Sequence, residues 1–251
     1  MRRDEALATI TAELTAISER LTRSGLSVNT VGKTDTGDRT LLVSGGVSVV
    51  KVEVNIVFRG TVLPVQKRSL VTSAADTFAA ELELPVLDID ELYGSKLVAA
   101  MDRQHPRDLF DVWEMYKAGG LTDEMVGCFV TYLAGHSRPM HEVLFGRQKD
   151  ISQEYRTTFV GLTTQDVALE TLVETRERLF KELPERLNAN HRTFLIGLAR
   201  AEPEWSLLKC PHAASLPALQ WKLINLQKLR QSKPEKLHEQ ANALEQRFQK
   251  V

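Results

Sequence analysis

The chain has 251 residues, of which 43% are hydrophobic and 26% charged, with a formal net charge of -1. This balance is that of a globular chain long enough for one large domain or two small ones. It excludes a global basic field, so any nucleic-acid binding must come from a local patch, and no apolar run reaches the roughly 20 residues of a membrane span.

Leu7, Ile10, Leu14, Ile17 and Leu21 follow helical spacing over residues 5–24, and Ser24-Gly25 ends that helix. Residues 26–31 read as a strand, 32–39 as a polar turn and 40–43 as a second strand. Ser44-Gly45-Gly46 is a tight turn, which makes a hairpin with the next strand. That strand, 47–58, carries the strongest alternation in the chain. Val50, Val52, Val54, Ile56 and Phe58 face one way, and Lys51, Glu53 and Asn55 the other. The second face reads either as a site wall or as a solvated sheet face. Residues 77–82 are a candidate strand, and Pro85-Val86-Leu87 leads through another short strand or turn into the next helix.

Residues 91–116, ELYGSKLVAAMDRQHPRDLFDVWEMY, read as two short helices joined at a proline. Leu92, Leu97, Val98 and Met101 form the apolar side of the first, about 90–103. His105-Pro106 opens the second, with Pro at the first helical position, where its missing N–H costs nothing. Leu109, Phe110, Val112, Trp113 and Tyr116 give it a wide apolar stripe. Asp108 and Asp111 share a face, and Arg107 and Asp111 are an i, i+4 pair. One helix, three strands and a helix pair predict an α+β domain over 1–120. Beyond it the pattern is helix only, at 122–134, 140–145, 164–187, 190–199, 215–229 and 233–250, which predicts an all-α domain over 121–251. The last of these helices is polar almost all round and is expected to stand partly free.

Taken singly, Asp108 reads as a helix-start anion, Arg107–Asp111 as a helix salt bridge and Lys96 as a snorkelling lysine. Trp205 and Trp221 read as core residues. Cys128 and Cys210 have neither metal nor disulfide spacing and read as reduced thiols. The six histidines form no zinc pattern. The start, MRRDEALATI, lacks the apolar core of a signal peptide, and the protein is expected to be cytoplasmic.

Glu91-x-x-x-x-Lys96-Leu97-x-Ala99, then Arg103, then Pro106-Arg107-Asp108-Leu109-Phe110-Asp111 resembles the later motifs of the AbiEii/AbiGii toxin nucleotidyltransferases, the toxin half of a toxin–antitoxin (abortive infection) system. The apolar blocks around Phe129, Phe159, His191, Pro203-Glu204-Trp205 and Leu216-Pro217 resemble the family's helical C-terminal region. The likeness runs from about Ile17 to Leu229. It implies Mg²⁺-dependent transfer of a nucleotide from an NTP, GTP among them, to an acceptor that for some relatives is the tRNA 3′ end. It also implies a cognate antitoxin as partner. By the same likeness Glu53 holds metal or activates the acceptor hydroxyl, Lys51 is a nucleotide-binding residue and Asn55 supports them. Lys96 grips the triphosphate, Asp108 holds Lys96 or assists proton transfer, Arg107 is a second phosphate contact, and Arg103 and Asp111 support them. Arg103, Arg107, Lys117, Arg138 and Arg147 are candidates for the wall of a tRNA groove.

The family's first motif, a Gly-[Gly/Ser] turn followed by Asp-x-Asp, is not found. Gly45-Gly46 lies too close to Glu53, and Asp88-Ile89-Asp90 precedes Gly94-Ser95, the reverse of the required order. The expectation is that the chain begins downstream of that motif, with a truncated nucleotidyltransferase-like first domain and an unpaired sheet edge. The alternative reading is a catalytically inactive remnant that binds nucleotide, RNA or a protein partner, because Glu53 alone does not hold two metal ions.

Overall fold

The computed structural model describes residues 3–32, 40–54 and 60–251. The chain forms two compact units, Met1–Arg59 and Gly60–Val251.

In the first unit, α1 (Arg3–Arg23) precedes β1 (Ser27–Val31), β2 (Thr40–Gly45) and β3 (Ser48–Glu53). The strands form an antiparallel sheet in the order β1-β2-β3. Ile10, Leu14, Ile17 and Leu21 of α1 follow the expected stripe and pack against Leu41 and Val43 of β2, with Leu26, Val28 and Val52 around them. Gly46, at φ +65°, makes the two-residue turn between β2 and β3. The apolar face expected of β3 is only partly buried. Val50 and Val52 oppose Val43 and Leu41 in register, yet Val50 is 60% exposed. The helix lies over β1 and β2, and β3 is an edge strand. Val54 has left the strand and is exposed. Asn55, Ile56 and Phe58 lie outside the described residues.

The second unit opens with an antiparallel ribbon of β4 (Gln66–Ser69) and β5 (Glu83–Val86). Between them lies α2 (Thr72–Phe78). This corrects the strand expected at 77–82. Thr77 ends a helical turn instead, its hydroxyl donating to the Ser73 carbonyl at 2.6 Å, and Ala79 closes the helix in the left-handed region at φ 46°. No residue of α2 is buried, so nothing in its sequence shows an apolar period.

The helices follow in order. They are α3 (Ile89–Arg103), α4 (Pro106–Lys117), α5 (Asp123–Gly135), α6 (Met140–Leu144) and α7 (Ser152–Glu154), which continues as a π-helical turn (Tyr155–Phe159). Then come α8 (Leu169–Arg186), α9 (Ala189–Ala199), α10 (Pro217–Ser232) and α11 (Pro234–Phe248). A short antiparallel sheet followed by helices is an α+β fold, as the pattern predicts.

Helix α5 is apolar on nearly all sides and forms the centre of this unit, burying Met125, Val126, Cys128, Phe129, Val130 and Leu133. Helix α3 crosses it at Gly94, where an added Cβ would sit 2.6 Å from the Cβ of Cys128. Helix α11 does not stand free. Leu237, Ala241, Leu244 and Phe248, spaced four, three and four apart, are buried against α6, α9 and α10. Trp221 is also a correction, since it is 46% exposed. Helix α10 turns Ala218, Leu219, Lys222 and Leu226 inward, which leaves its neighbour Trp221 on the outer face.

Candidate functional site

The α3–α4 hairpin is fixed from both ends. Asp88 caps α3 by accepting from the Asp90 N–H at 2.9 Å, and the Gln66 side chain of the β-ribbon donates to its other oxygen at 2.5 Å. One turn on, Glu91 is fully buried. Its Oε1 accepts from the Val62 N–H at 2.8 Å and the Tyr132 hydroxyl at 2.9 Å, and its Oε2 from the Leu63 N–H at 2.9 Å. Glu91 thus bolts the entry segment of the unit, at Val62 and Leu63, to α3 and α5. Burial, then the Glu91 carboxylate, holds the Tyr132 phenol protonated well above its ordinary range. The Glu91 carboxylate is thus buried and taken up by these three donors.

At the other end α3 closes on Gln104, in the left-handed region at φ 56°. His105 then caps α4, its Nδ1 accepting from the Arg107 N–H at 3.2 Å, with Pro106 at the first helical position. Two ion pairs bridge the hairpin like rungs. Arg103 donates through Nε and Nη2 to both oxygens of Asp108, at 3.0 and 2.6 Å, next to the hinge. Two turns back along α3, Lys96 pairs with Asp111. Lys96 and Arg103, seven residues apart, lie on one face of α3.

These contacts differ from two expected pairings. Lys96 is held by Asp111 and not by Asp108, which is saturated by Arg103. Arg107 makes no pair with Asp111; its Nε and Nη2 donate to the Thr158 carbonyl at 3.2 and 3.1 Å. The π-helical turn reaches back to the hinge there, and the Thr158 hydroxyl also contacts His105 Nε2 at 3.2 Å. A cavity of about 510 Å³ opens at the hinge, lined by Arg103, Gln104, His105, Arg107, Asp108, Lys149, Asp150, Ile151 and Glu154. The sequence gives no local sign of Lys149, which arrives from the loop after α6.

Of the other basic candidates, Arg147 meets the hinge through its backbone carbonyl, which accepts from Gln104 at 2.9 Å, and two more are taken up by neighbouring side chains. Arg138 is engaged by Asp102 at 2.5 Å and Glu142 at 3.1 Å. Lys117 pairs with Glu114 and covers the Trp113 ring, about 15 Å from Arg107 at a rise of 1.5 Å per residue. In the first unit Glu53 lies on β3, exposed and paired with Lys51 at 2.7 Å. That hydrogen bond to Lys51 is the main cause that holds the Glu53 carboxyl below its ordinary range, with Thr40 adding to it.

The AbiEii family model, described as the nucleotidyl transferase AbiEii toxin of a type IV toxin–antitoxin system, matches residues 1–225. The chain belongs to the AbiEii family. No curated protein and no solved structure matches it. AbiEii proteins are nucleotidyltransferase toxins, and membership implies a nucleoside triphosphate substrate, a divalent metal and an antitoxin partner. No described helix of this AbiEii chain is long and apolar enough to cross a membrane. Its described residues do not fit a two-metal centre. No three His, Cys, Asp or Glu side chains among them converge, and Glu53 is a single carboxylate already paired with a cation.

Proposed function

We propose that this chain transfers a nucleotide from a nucleoside triphosphate to an acceptor hydroxyl, with the α3–α4 hairpin as its polyphosphate grip. The acceptor oxygen bonds to the α-phosphorus while the bond to the bridging oxygen breaks, and pyrophosphate leaves. Lys96 and Arg103, aligned on α3, and Arg107 at the hinge offset the charge that develops on phosphorus and pyrophosphate. Asp111 and Asp108 hold the first two cations in place. The observation that carries this reading is that alignment, together with a cavity of about 510 Å³ at its hinge end, lined by Arg103 and Arg107. On the family likeness alone, Glu53 keeps its acceptor-side role, Lys51 its nucleotide-binding role and Asn55 its supporting one. We take GTP as a donor and the tRNA 3′ end as an acceptor.

The test is calorimetric titration of the chain with GTP and the other NTPs, with and without Mg²⁺, followed by transfer of labelled nucleotide to tRNA. Binding that is lost in Lys96→Ala, with label on tRNA, is the expected result. No binding of any NTP would remove the reading.

A second reading is a binding protein that transfers nothing. Glu53, Asp108 and Asp111 are each already paired with a Lys or Arg of the chain, so none is free to hold a metal ion or take a proton without breaking an ion pair. NTP binding without label transfer to any RNA would select it.

A further inference from the structure

We propose that Lys149 is a further polyphosphate-binding residue of this site, and that Gln104 is the residue that positions it. The proposal rests on the nucleotide-binding reading of the α3–α4 hairpin.

Lys149 stands 45 residues beyond Gln104, in the loop between α6 and α7, and hydrogen bonds to both its N–H and its carbonyl fix its backbone at the hinge. The Gln104 side chain accepts from the Lys149 N–H at 2.9 Å and donates to the Arg147 carbonyl at 2.9 Å. Its amide therefore pairs with the loop as a neighbouring β-strand would. Arg176, buried on α8, donates to the Lys149 carbonyl at 2.5 Å. Asp150, the next residue, accepts from the Ser152 N–H at 2.9 Å and so starts α7. The Lys149 ammonium in turn donates to the carbonyls of Asp102 and Arg103, at 3.1 and 3.3 Å, at the end of α3.

Gln104 occupies a position that favours glycine. At φ 56° a helix-closing residue bears a steric cost that glycine avoids, yet here it is a glutamine, 2% exposed. Its side chain explains the choice, because only a group with both a donor and an acceptor can close the reciprocal pair with the loop.

The cavity shows what the loop presents. Lys149 has three ammonium donors, of which two are used on carbonyls, and no ion-pair partner among the described residues. Arg107 likewise meets only the Thr158 carbonyl. Asp150 accepts through one oxygen from the Ser152 N–H and hydroxyl, and Arg103 is paired with Asp108. Glu154 also lines the space, so the formal charges of Arg103, Arg107, Lys149, Asp108, Asp150 and Glu154 cancel. A neutral rim with pointed donors binds a compact anion through directed hydrogen bonds. It does not attract a polynucleotide backbone through a broad positive field. A volume of about 510 Å³ is in the range that holds one small molecule. The ligand class is therefore the polyphosphate of a single nucleotide.

The test uses the full chain, titrated calorimetrically with inorganic tripolyphosphate and with GTP. Lys149→Ala is expected to weaken both by about tenfold, the scale of one charge-assisted hydrogen bond, with an unchanged melting temperature. Lys149→Arg restores affinity. Gln104→Gly, which relieves the backbone, weakens binding in the same direction and adds nothing in the Lys149→Ala background. If Gln104→Gly does not fold, the two Lys149 variants decide the matter. Wild-type affinity in Lys149→Ala, with binding lost in Lys96→Ala, overturns the assignment and leaves the nucleotide reading standing. Equal losses from Gln104→Gly with and without Lys149 overturn the positioning role. No binding of tripolyphosphate or any NTP by the wild type overturns both the assignment and the reading beneath it.

Discussion

Lys96 on α3 and Asp111 on α4 form an ion pair across the hairpin, with side chains 33% and 35% exposed. A pair this wet contributes little to folding, on the order of 0–1 kcal/mol, because water screens it and two side chains lose freedom. Its effect is to hold one ammonium at a fixed place beside Arg103. Asp111→Asn is therefore expected to lower unfolding stability by less than about 1 kcal/mol while weakening GTP by about tenfold. Urea unfolding and calorimetry, run on the same preparation, separate the two effects. An affinity equal to wild type would show that Lys96 needs no anchor.

Glu91 makes the opposite prediction. Its buried carboxylate accepts from two backbone N–H groups and a hydroxyl, the Val62 bond buried and the other two half-buried. Glu91→Ala takes this acceptor away from both backbone N–H groups and is expected to cost roughly 2–5 kcal/mol. Glu91→Gln keeps one acceptor oxygen, but its amide cannot accept at the other, so roughly 1–3 kcal/mol is lost. Tyr132→Phe removes one of three donors and costs about 1 kcal/mol. Denaturant unfolding orders the three variants. Nucleotide affinity measured on folded Glu91→Gln should match wild type, and a selective loss of binding would move Glu91 from scaffold to site.

The hinge shows where sequence reading succeeds and where it stops. Pro106 at the first position of α4 and the apolar stripes of α3 and α4 are local signals, and each stands where its residues place it. Helices α5, α6 and α8 to α11 were legible for the same reason, since a buried stripe has a period. The partner of Lys96 was not legible. Asp108 and Asp111 share a face of α4, and which one meets Lys96 depends on how far α3 and α4 are turned at the Gln104-His105 hinge. Lys149 was hidden more completely, because its place depends on a contact across 45 residues. The short α2 has no buried residue and α7 runs into a π-helical turn, so neither offers a helical period to read.

Gly94 and Gly127 separate space from propensity. Both are glycines inside helices, where alanine is favoured by about 1 kcal/mol. At Gly94 a Cβ would lie 2.6 Å from Cys128 Cβ and 2.9 Å from the Phe129 backbone nitrogen. Those atoms belong to the central helix and cannot yield, so Gly94→Ala is expected to destabilise by roughly 1–3 kcal/mol despite its better propensity. At Gly127 nothing lies within 4 Å of the added carbon. Gly127→Ala should raise stability by about 0.5–1 kcal/mol. Melting temperatures that move the same way in both variants would contradict the close α3–α5 crossing.

Lys222 gives the fold a pH dependence of determinate sign. It is 7% exposed on α10, and its ammonium donates to the carbonyls of His136 and Arg138, at 2.8 and 2.7 Å, at the end of α5. Burial pushes its pKa down to about 8 from the ordinary 10.5, against a smaller opposing pull from Glu142. Below about pH 8 both folded and unfolded chains carry this proton, and the cost of the buried charge is present in full. Between about 8 and 10.5 the unfolded chain holds the proton that the folded chain has released, so stability rises with pH. The slope from one such group is at most about 1.4 kcal/mol per pH unit. Lys222→Met has no proton to lose, and the other groups that titrate in this range are common to both chains. The difference in unfolding free energy, wild type minus variant, is therefore expected to grow in favour of wild type from pH 8 to pH 10. Parallel curves across that interval would mean that the ammonium is better solvated than its two carbonyl contacts imply.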